Sequence, residues 1–179
     1  MGRDSMKHSD ADWSVLLAEQ ARANSALFYS LAFKVLRERS AAEDACQKAM
    51  LTAWVRRDEI VDRGQLKGWL ATAIINESLA VLRRQKVEKK VVKLVALHGG
   101  ESTGGMSPDS DARRDAIVLA LGQLQDHERA AVTLRVMHGL SGKDVAALLG
   151  VSDGQVSKLL HRGMEILRTT LAMWDNNNG

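Results

Sequence analysis

Aromatic residues make up only 4% of the 179-residue sequence, and there is one proline and one cysteine. Where aromatics are this scarce and Ala, Leu, Val and Met abound, helices packed on helices are favoured over a sandwich or barrel. Cys46 alone cannot close an internal disulfide, and the five histidines are scattered with no Cys/His spacing of a zinc site. No metal and no cofactor are therefore expected. A glycine-rich phosphate loop and a nucleophile motif are also missing, so an enzyme has no support. No apolar run approaches the ~18 residues of a membrane span. The opening "MGRDSMKHSDAD" is too polar for a signal peptide, and Met6 occupies the position where myristoylation requires Ser or Thr. A cytoplasmic chain without membrane insertion is the expectation. Its net charge of +3 permits a polyanionic partner without demanding one.

Organisation comes next. The stretch "HGGESTGGMSPDSDA", residues 98–112, holds four glycines, three serines and the lone proline, with Glu101, Asp109 and Asp111 uncompensated. It reads as a flexible linker between two small helical domains in an all-α fold. The expected division is a disordered tail over 1–12, a helical domain over 13–93, the linker over 94–112, a second helical domain over 113–172 and a polar tail over 173–179. In the first domain, Leu16, Ala23, Leu27, Leu31 and Val35 form a helical stripe from Trp13 to about Arg37. Ser40 with Glu43 reads as a capping box for a second helix. That helix collects Ala42, Ala45, Cys46, Ala49, Met50 and Ala53 on one face and Glu43, Asp44, Gln47 and Lys48 on the other. A third helix, from about Trp69 to Leu82, runs into a basic arm in which Arg83, Arg84, Lys86, Lys89, Lys90 and Lys93 oppose only Glu88.

The second domain closes on "LSGKDVAALLGVSDGQVSKLLHR", residues 140–162, which has the physics of a helix-turn-helix. Ser141 with Asp144, and Ser152 with Gln155, are two cap signals. Gly150 between them suits the left-handed end of the first helix, and small Ala146 allows a close crossing. At 100° per residue, Leu159, Leu160, Gly163, Ile166 and Leu167 join Val156 on the inner side. Gln155, Ser157, Lys158, His161 and Arg162 face outward, and Gly154 lets backbone approach a ligand. Amide, hydroxyl and basic groups near a helix N-terminus suit base edges and phosphates of a major groove. From Ser141 to Arg168, however, four basic residues face three acidic ones. Non-specific affinity follows the phosphates neutralised, so the module needs a dimer or a second grip.

The stretches "AAEDACQKAMLTAW" and "GWLATAIINESLAVLRRQ" resemble region two of bacterial RNA polymerase sigma factors, in the extracytoplasmic-function (ECF) group. The stretch "LGQLQDHERAAVTLRVMHGLSGKDVAALLGVSDGQVSKLLHRGMEILR" resembles region four of the same proteins. The resemblance runs from about Ala26 to Leu171, linker excepted. It implies a promoter-specificity subunit that binds core RNA polymerase, recognises −10 and −35 promoter elements and directs transcription initiation. Residue by residue, it implies polymerase docking by Asp44 and Gln47, and −10 contacts by Asn76, Arg83, Arg84 and Lys86. It also implies −35 contacts by Ser152, Gln155, Ser157, Lys158, His161 and Arg162. Promoter DNA and core polymerase would be partners, and the family admits an anti-sigma factor as a third. Trp54 and Trp69 occupy family tryptophan positions and read as core.

The chain departs from the family pattern in places. It has Leu124-Gln125 for Leu-Pro, Val156-Ser157-Lys158-Leu159 for Val-Lys-Ser-Arg, Ala80 for an acid, and Ile60 for a loop aromatic. The competing reading is a stand-alone helix-turn-helix regulator with an N-terminal sensor or dimerisation domain.

Overall fold

The structure is a computed structural model that describes residues 10–60, 62–96 and 108–178. Among these residues there is no strand. The order is α1 Asp10–Ala23, α2 Ser25–Leu36, α3 Arg39–Val55, two short 3-10 turns, α4 Leu66–Ala96, α5 Pro108–Gln123, α6 Asp126–Val132, α7 Gly142–Leu149 and α8 Asp153–Asn178. A π-helical turn, Thr133–Met137, prolongs α6. Most of the expected linker lies outside the described residues.

In the N-terminal half, α2, α3 and α4 pack on one another, and α1 is pinned to them by the fully buried Trp13. The alanine face of α3 is real: Ala42, Ala45, Ala49 and Ala53 are wholly buried. Side chains this small let neighbouring helices approach closely, because interaxial distance follows residue size. Larger side chains from the partners fill the space, among them Phe28 and Leu31 from α2 and Leu66, Leu70, Ile74 and Ile75 from α4. Each is worth about 1.5–3 kcal/mol when fully buried.

Three local expectations are corrected. The stripe from Trp13 to Arg37 is two helices, because the Asn24 amide turns back to the carbonyl and side-chain oxygens of Gln20 and leaves the residue non-helical. Ala23 is exposed at that break. The cap of α3 is Glu38, whose carboxylate accepts from the Ser40 and Ala41 N–H groups at 2.7 Å each. Glu43 instead accepts from Arg39 Nε at 3.0 Å. Finally, the third helix does not hand over to an arm: α4 is one 31-residue helix that includes the basic stretch.

In the C-terminal half, α8 runs across α5, α6 and α7. Gly163 is buried where α8 meets α6, and a Cβ there would lie 2.6 Å from Val132 Cγ2. The crossing is that close. The two halves, expected to be only loosely restrained, share one apolar core. Leu124, Ala130, Leu134, Leu148 and Leu149 continue the cluster built by Leu66, Leu70 and Ile74.

Candidate nucleic-acid interface

Both helices of the helix-turn-helix start on reciprocal caps. Ser141 Oγ accepts from Asp144 N–H at 3.1 Å, and the Asp144 carboxylate accepts from Ser141 N–H at 3.2 Å. One element later, Ser152 Oγ accepts from Gln155 N–H at 3.3 Å while Gln155 Oε1 accepts from Ser152 N–H at 2.9 Å. Each serine cap is worth about 1 kcal/mol. Between them Gly150 adopts φ 68°, ψ 33° and its N–H closes α7 on the Ala146 carbonyl. Val145, Ala146, Leu149 and Val156 are buried as the wedge.

The outer face of α8 is solvent-exposed at Ser152, Gln155, Ser157, Lys158, His161 and Arg162. Ser157 Oγ donates to the Asp153 carbonyl at 3.1 Å, which keeps that hydroxyl close to its own helix. Nothing lies within 4 Å of a Cβ placed on Gly154, so the backbone there is accessible from outside. A capped helix N-terminus with amide and basic groups on one open face can meet base edges and phosphates together.

On α3, Asp44 and Gln47 are exposed beside apolar residues. Gln47 joins Leu17, Met50, Leu51 and Trp54 in lining an open groove of about 410 Å³. Leu51 and Val55 are 65% and 73% exposed, an apolar rim on an otherwise polar face. Trp54 and Trp69 are both half-buried and packed against the core; Trp54 also lines that groove, with the Arg57 guanidinium 5.6 Å from its ring centroid. Cys46 is half-buried on the inner side. Burial, reinforced by Glu43, pushes its thiol up to about 11, which leaves it protonated at neutral pH.

The −10 candidates on α4 are less open. Asn76 is partly buried, and its Oδ1 accepts from Arg129 Nη1 of α6 at 2.7 Å. Arg83 is partly buried too: its Nη1 lies 3.5 Å from where a Cβ on Gly122 of α5 would be. Arg84 is exposed, while the side chain of Lys86 lies outside the described residues. Ile60, in the loop before α4, is buried in the core.

Two residues that bear on the site were not anticipated. Arg129 is 8% exposed; its other nitrogens donate to the Leu121 carbonyl at 2.9 Å and the Leu124 carbonyl at 2.5 Å, and Nη1 also reaches Asp126 at 3.1 Å. Burial draws its pKa below the ordinary guanidinium value; Asp126 opposes this and Arg83 adds to it. Gly68, near the start of α4, abuts the end of α7 so closely that a Cβ would lie 2.4 Å from the Leu148 carbonyl oxygen. Neither could be read from periodicity. Arg129 sits in "ERAAVTL", where every position is buried, and the partner of Gly68 comes from the other half of the chain.

Among the described residues, no cluster of His, Cys, Asp and Glu could hold a metal ion, and no helix is long and apolar enough to cross a membrane.

The described residues thus combine, in one helical chain, a doubly capped helix-turn-helix with an open outer face and an apolar groove on α3. Comparison with known proteins names the family. Residues 21–88 match the description "Sigma-70 region 2" and residues 114–167 match "Sigma-70, region 4", which together take in more than half of the chain. The chain is 26% identical over 151 residues to the ECF RNA polymerase sigma factor SigL of Mycobacterium tuberculosis, covering 83% of this chain and 84% of that protein. It is 30% identical over 161 residues to the ECF RNA polymerase sigma factor SigE of Mycolicibacterium smegmatis, covering 86% of this chain and 61% of that one. Among solved structures it is similar to the sigma factor RpoE of Bartonella quintana, crystallised with the anti-sigma factor NepR. The TM-score is 0.44 at 22% identity, over 87% of this chain and 96% of that one. The chain belongs to the sigma-70 family, in its ECF group, and is a promoter-specificity subunit for transcription initiation.

Proposed function

We propose that this subunit grips the transcription machinery and the promoter at three separate surfaces and performs no bond chemistry itself. The polar and apolar face of α3, centred on Asp44, Gln47 and Leu51, docks on core RNA polymerase. Asn76, Arg83, Arg84 and Lys86 on α4 meet the −10 element, where the Asn76 amide can both donate to and accept from an exposed base. The outer face of α8, with Ser152, Gln155, Ser157, Lys158, His161 and Arg162, reads the −35 element. The protein works in the cytoplasm, where polymerase and promoter are. One observation carries the reading: a doubly capped helix-turn-helix with an open outer face occurs in the same chain as an exposed apolar groove on a polar helix. Two weak contacts gain strength when a scaffold sets their spacing, through high effective concentration.

A stand-alone regulator would bind a palindrome without polymerase and would leave the α3 face without a purpose. Run-off transcription decides between the two readings. With core polymerase from the same bacterium, the purified chain should start transcripts on genomic fragments that core alone ignores. No transcript from any fragment, together with no core association on a sizing column, would overturn the proposal.

A further inference from the structure

One exposed face of α2 belongs to none of the three proposed surfaces. The chain has two phenylalanines and one tyrosine. Phe28 is buried in the core, but Phe33 is 41% exposed. Tyr29, one turn earlier on α2, stacks against it with 5.6 Å between ring centroids and 17° between planes. A lone exposed ring would need no explanation, but this one continues a stack and stands among cations. Lys34 is exposed beside it. One further turn along the stripe comes Arg37, exposed and held at φ 58°, ψ 16°, a left-handed backbone that glycine adopts without strain. Strain of this kind points to a task for the side chain, since solvation of a charge does not need it. Among the described residues, neither Lys34 nor Arg37 has an acidic partner. The nearby acids are engaged elsewhere: Glu43 with Arg39, and Glu38 with the α3 N–H groups.

We propose that Tyr29, Phe33, Lys34 and Arg37 form a stacking site on α2 for an unpaired stretch of promoter DNA. One base extends the ring stack at Phe33, and the flanking phosphates meet Lys34 and Arg37. The site deepens the promoter reading and rests on it for the identity of the strand. Its position agrees: α2 packs directly on α4. His138, next to the turn that prolongs α6, is close enough to feel the Lys34 charge, and Arg129 of α6 meets Asn76, so the stripe and Asn76 lie on one side of the bundle. Stacking tolerates any sequence, because every base has a π face. The site therefore holds a strand once the duplex has parted, and the choice of promoter stays with α4 and α8. An acidic peptide would answer the same two cations but has no need of two aligned rings.

Phe33→Leu removes the π face while keeping an apolar side chain of better helix propensity, and Phe33→Trp keeps the face. The probe is single-stranded oligothymidylate bearing one 2-aminopurine, whose fluorescence is quenched on stacking, titrated with the full chain across a salt series. Phe33→Leu should weaken binding at least about fivefold, while Phe33→Trp should bind as wild type does. Arg37→Gln should lower the salt slope by about 0.7, the value for one phosphate of a single strand. In holoenzyme, Phe33→Leu should also reduce the permanganate reactivity of promoter thymines at unchanged core association. Wild-type strand binding by Phe33→Leu, or equal weakening by Phe33→Leu and Phe33→Trp, would overturn the stacking site. Loss of core association by Phe33→Leu would make the stripe a protein-docking face and overturn it equally, and tighter binding of oligouridylate would overturn the assignment to DNA. No strand binding by a wild type that still supports run-off transcription would sink the site and leave the promoter reading standing. Strand binding without run-off from any fragment would remove that reading and keep the stripe as a nucleic-acid site.

Discussion

Gly150 and Gly154 lie four residues apart in the helix-turn-helix, and alanine should act on them with opposite sign. At Gly150 the backbone is left-handed, φ 68°, and an L-residue there loses roughly 1–2 kcal/mol. Packing adds little, because the nearest atom to a new Cβ is Gln65 Cγ at 3.4 Å, on a flexible side chain. At Gly154, inside the first turn of α8, a Cβ meets nothing within 4 Å. Alanine there removes backbone entropy from the unfolded chain and should stabilise by about 0.5–1 kcal/mol. The two variants should differ by about 2 kcal/mol, or about 4–8 °C in Tm for a protein of this size. Urea unfolding at constant m-value is the assay. Gly139→Ala is the control: φ is 66° with no neighbour within 4 Å, so it isolates the backbone cost. A Gly150→Ala midpoint equal to wild type would refute the reasoning. Function should move against stability at Gly154, since its alanine puts a methyl on the face we propose for DNA. The more stable variant should bind the upstream promoter element less tightly.

Lys158→Ala should lose about 1–3 kcal/mol of upstream-element affinity if the side chain contacts a base, measured by anisotropy with holoenzyme; unchanged affinity would place Lys158 outside the interface. Leu51→Glu keeps helix propensity on an exposed position and should weaken core association at least tenfold with an unchanged circular dichroism spectrum; wild-type association would remove the α3 face from docking. Burial, with Lys34 adding repulsion, lowers His138 to about 4 from an unfolded value near 6.5. The unfolded chain therefore binds more protons between those values, so stability is full above about pH 6.5 and falls as pH drops towards 4. Discounted for solvent screening of a partly exposed ring, the loss is about 1–2 kcal/mol. His138→Gln should flatten that slope in urea titrations, and an unaltered slope would assign it to other groups.

The helix-turn-helix was legible because its signals are local. A cap lies three residues from its partner, Gly150 marks one turn, and the 3.6-residue period separates Val156 from Lys158 without any knowledge of the rest of the chain. The alanine face of α3 was legible for the same reason. The cap of α3 was not, because the helix starts at Arg39, before Ser40, and the Glu38 carboxylate takes the Ser40 and Ala41 N–H groups. The break at Asn24 hid inside a continuous apolar period, since one side-chain amide can interrupt a helix without altering its hydrophobic pattern. What stayed out of reach was everything between the halves. The bond of Arg129 to Asn76 spans 53 positions, and no spacing rule joins residues that distant.

The length of α4 has a mechanical consequence. Its 31 residues make a rod of about 46 Å, with Gly68 near one end, Asn76 a third of the way along and the cationic stretch on the remainder. About 12 Å separate Gly68 from Asn76 and about 30 Å separate Asn76 from the tip. Leu66, Leu70, Ile74, Ile75 and Leu79 fix its first half in the core, so the cationic remainder is a stiff beam clamped at one end.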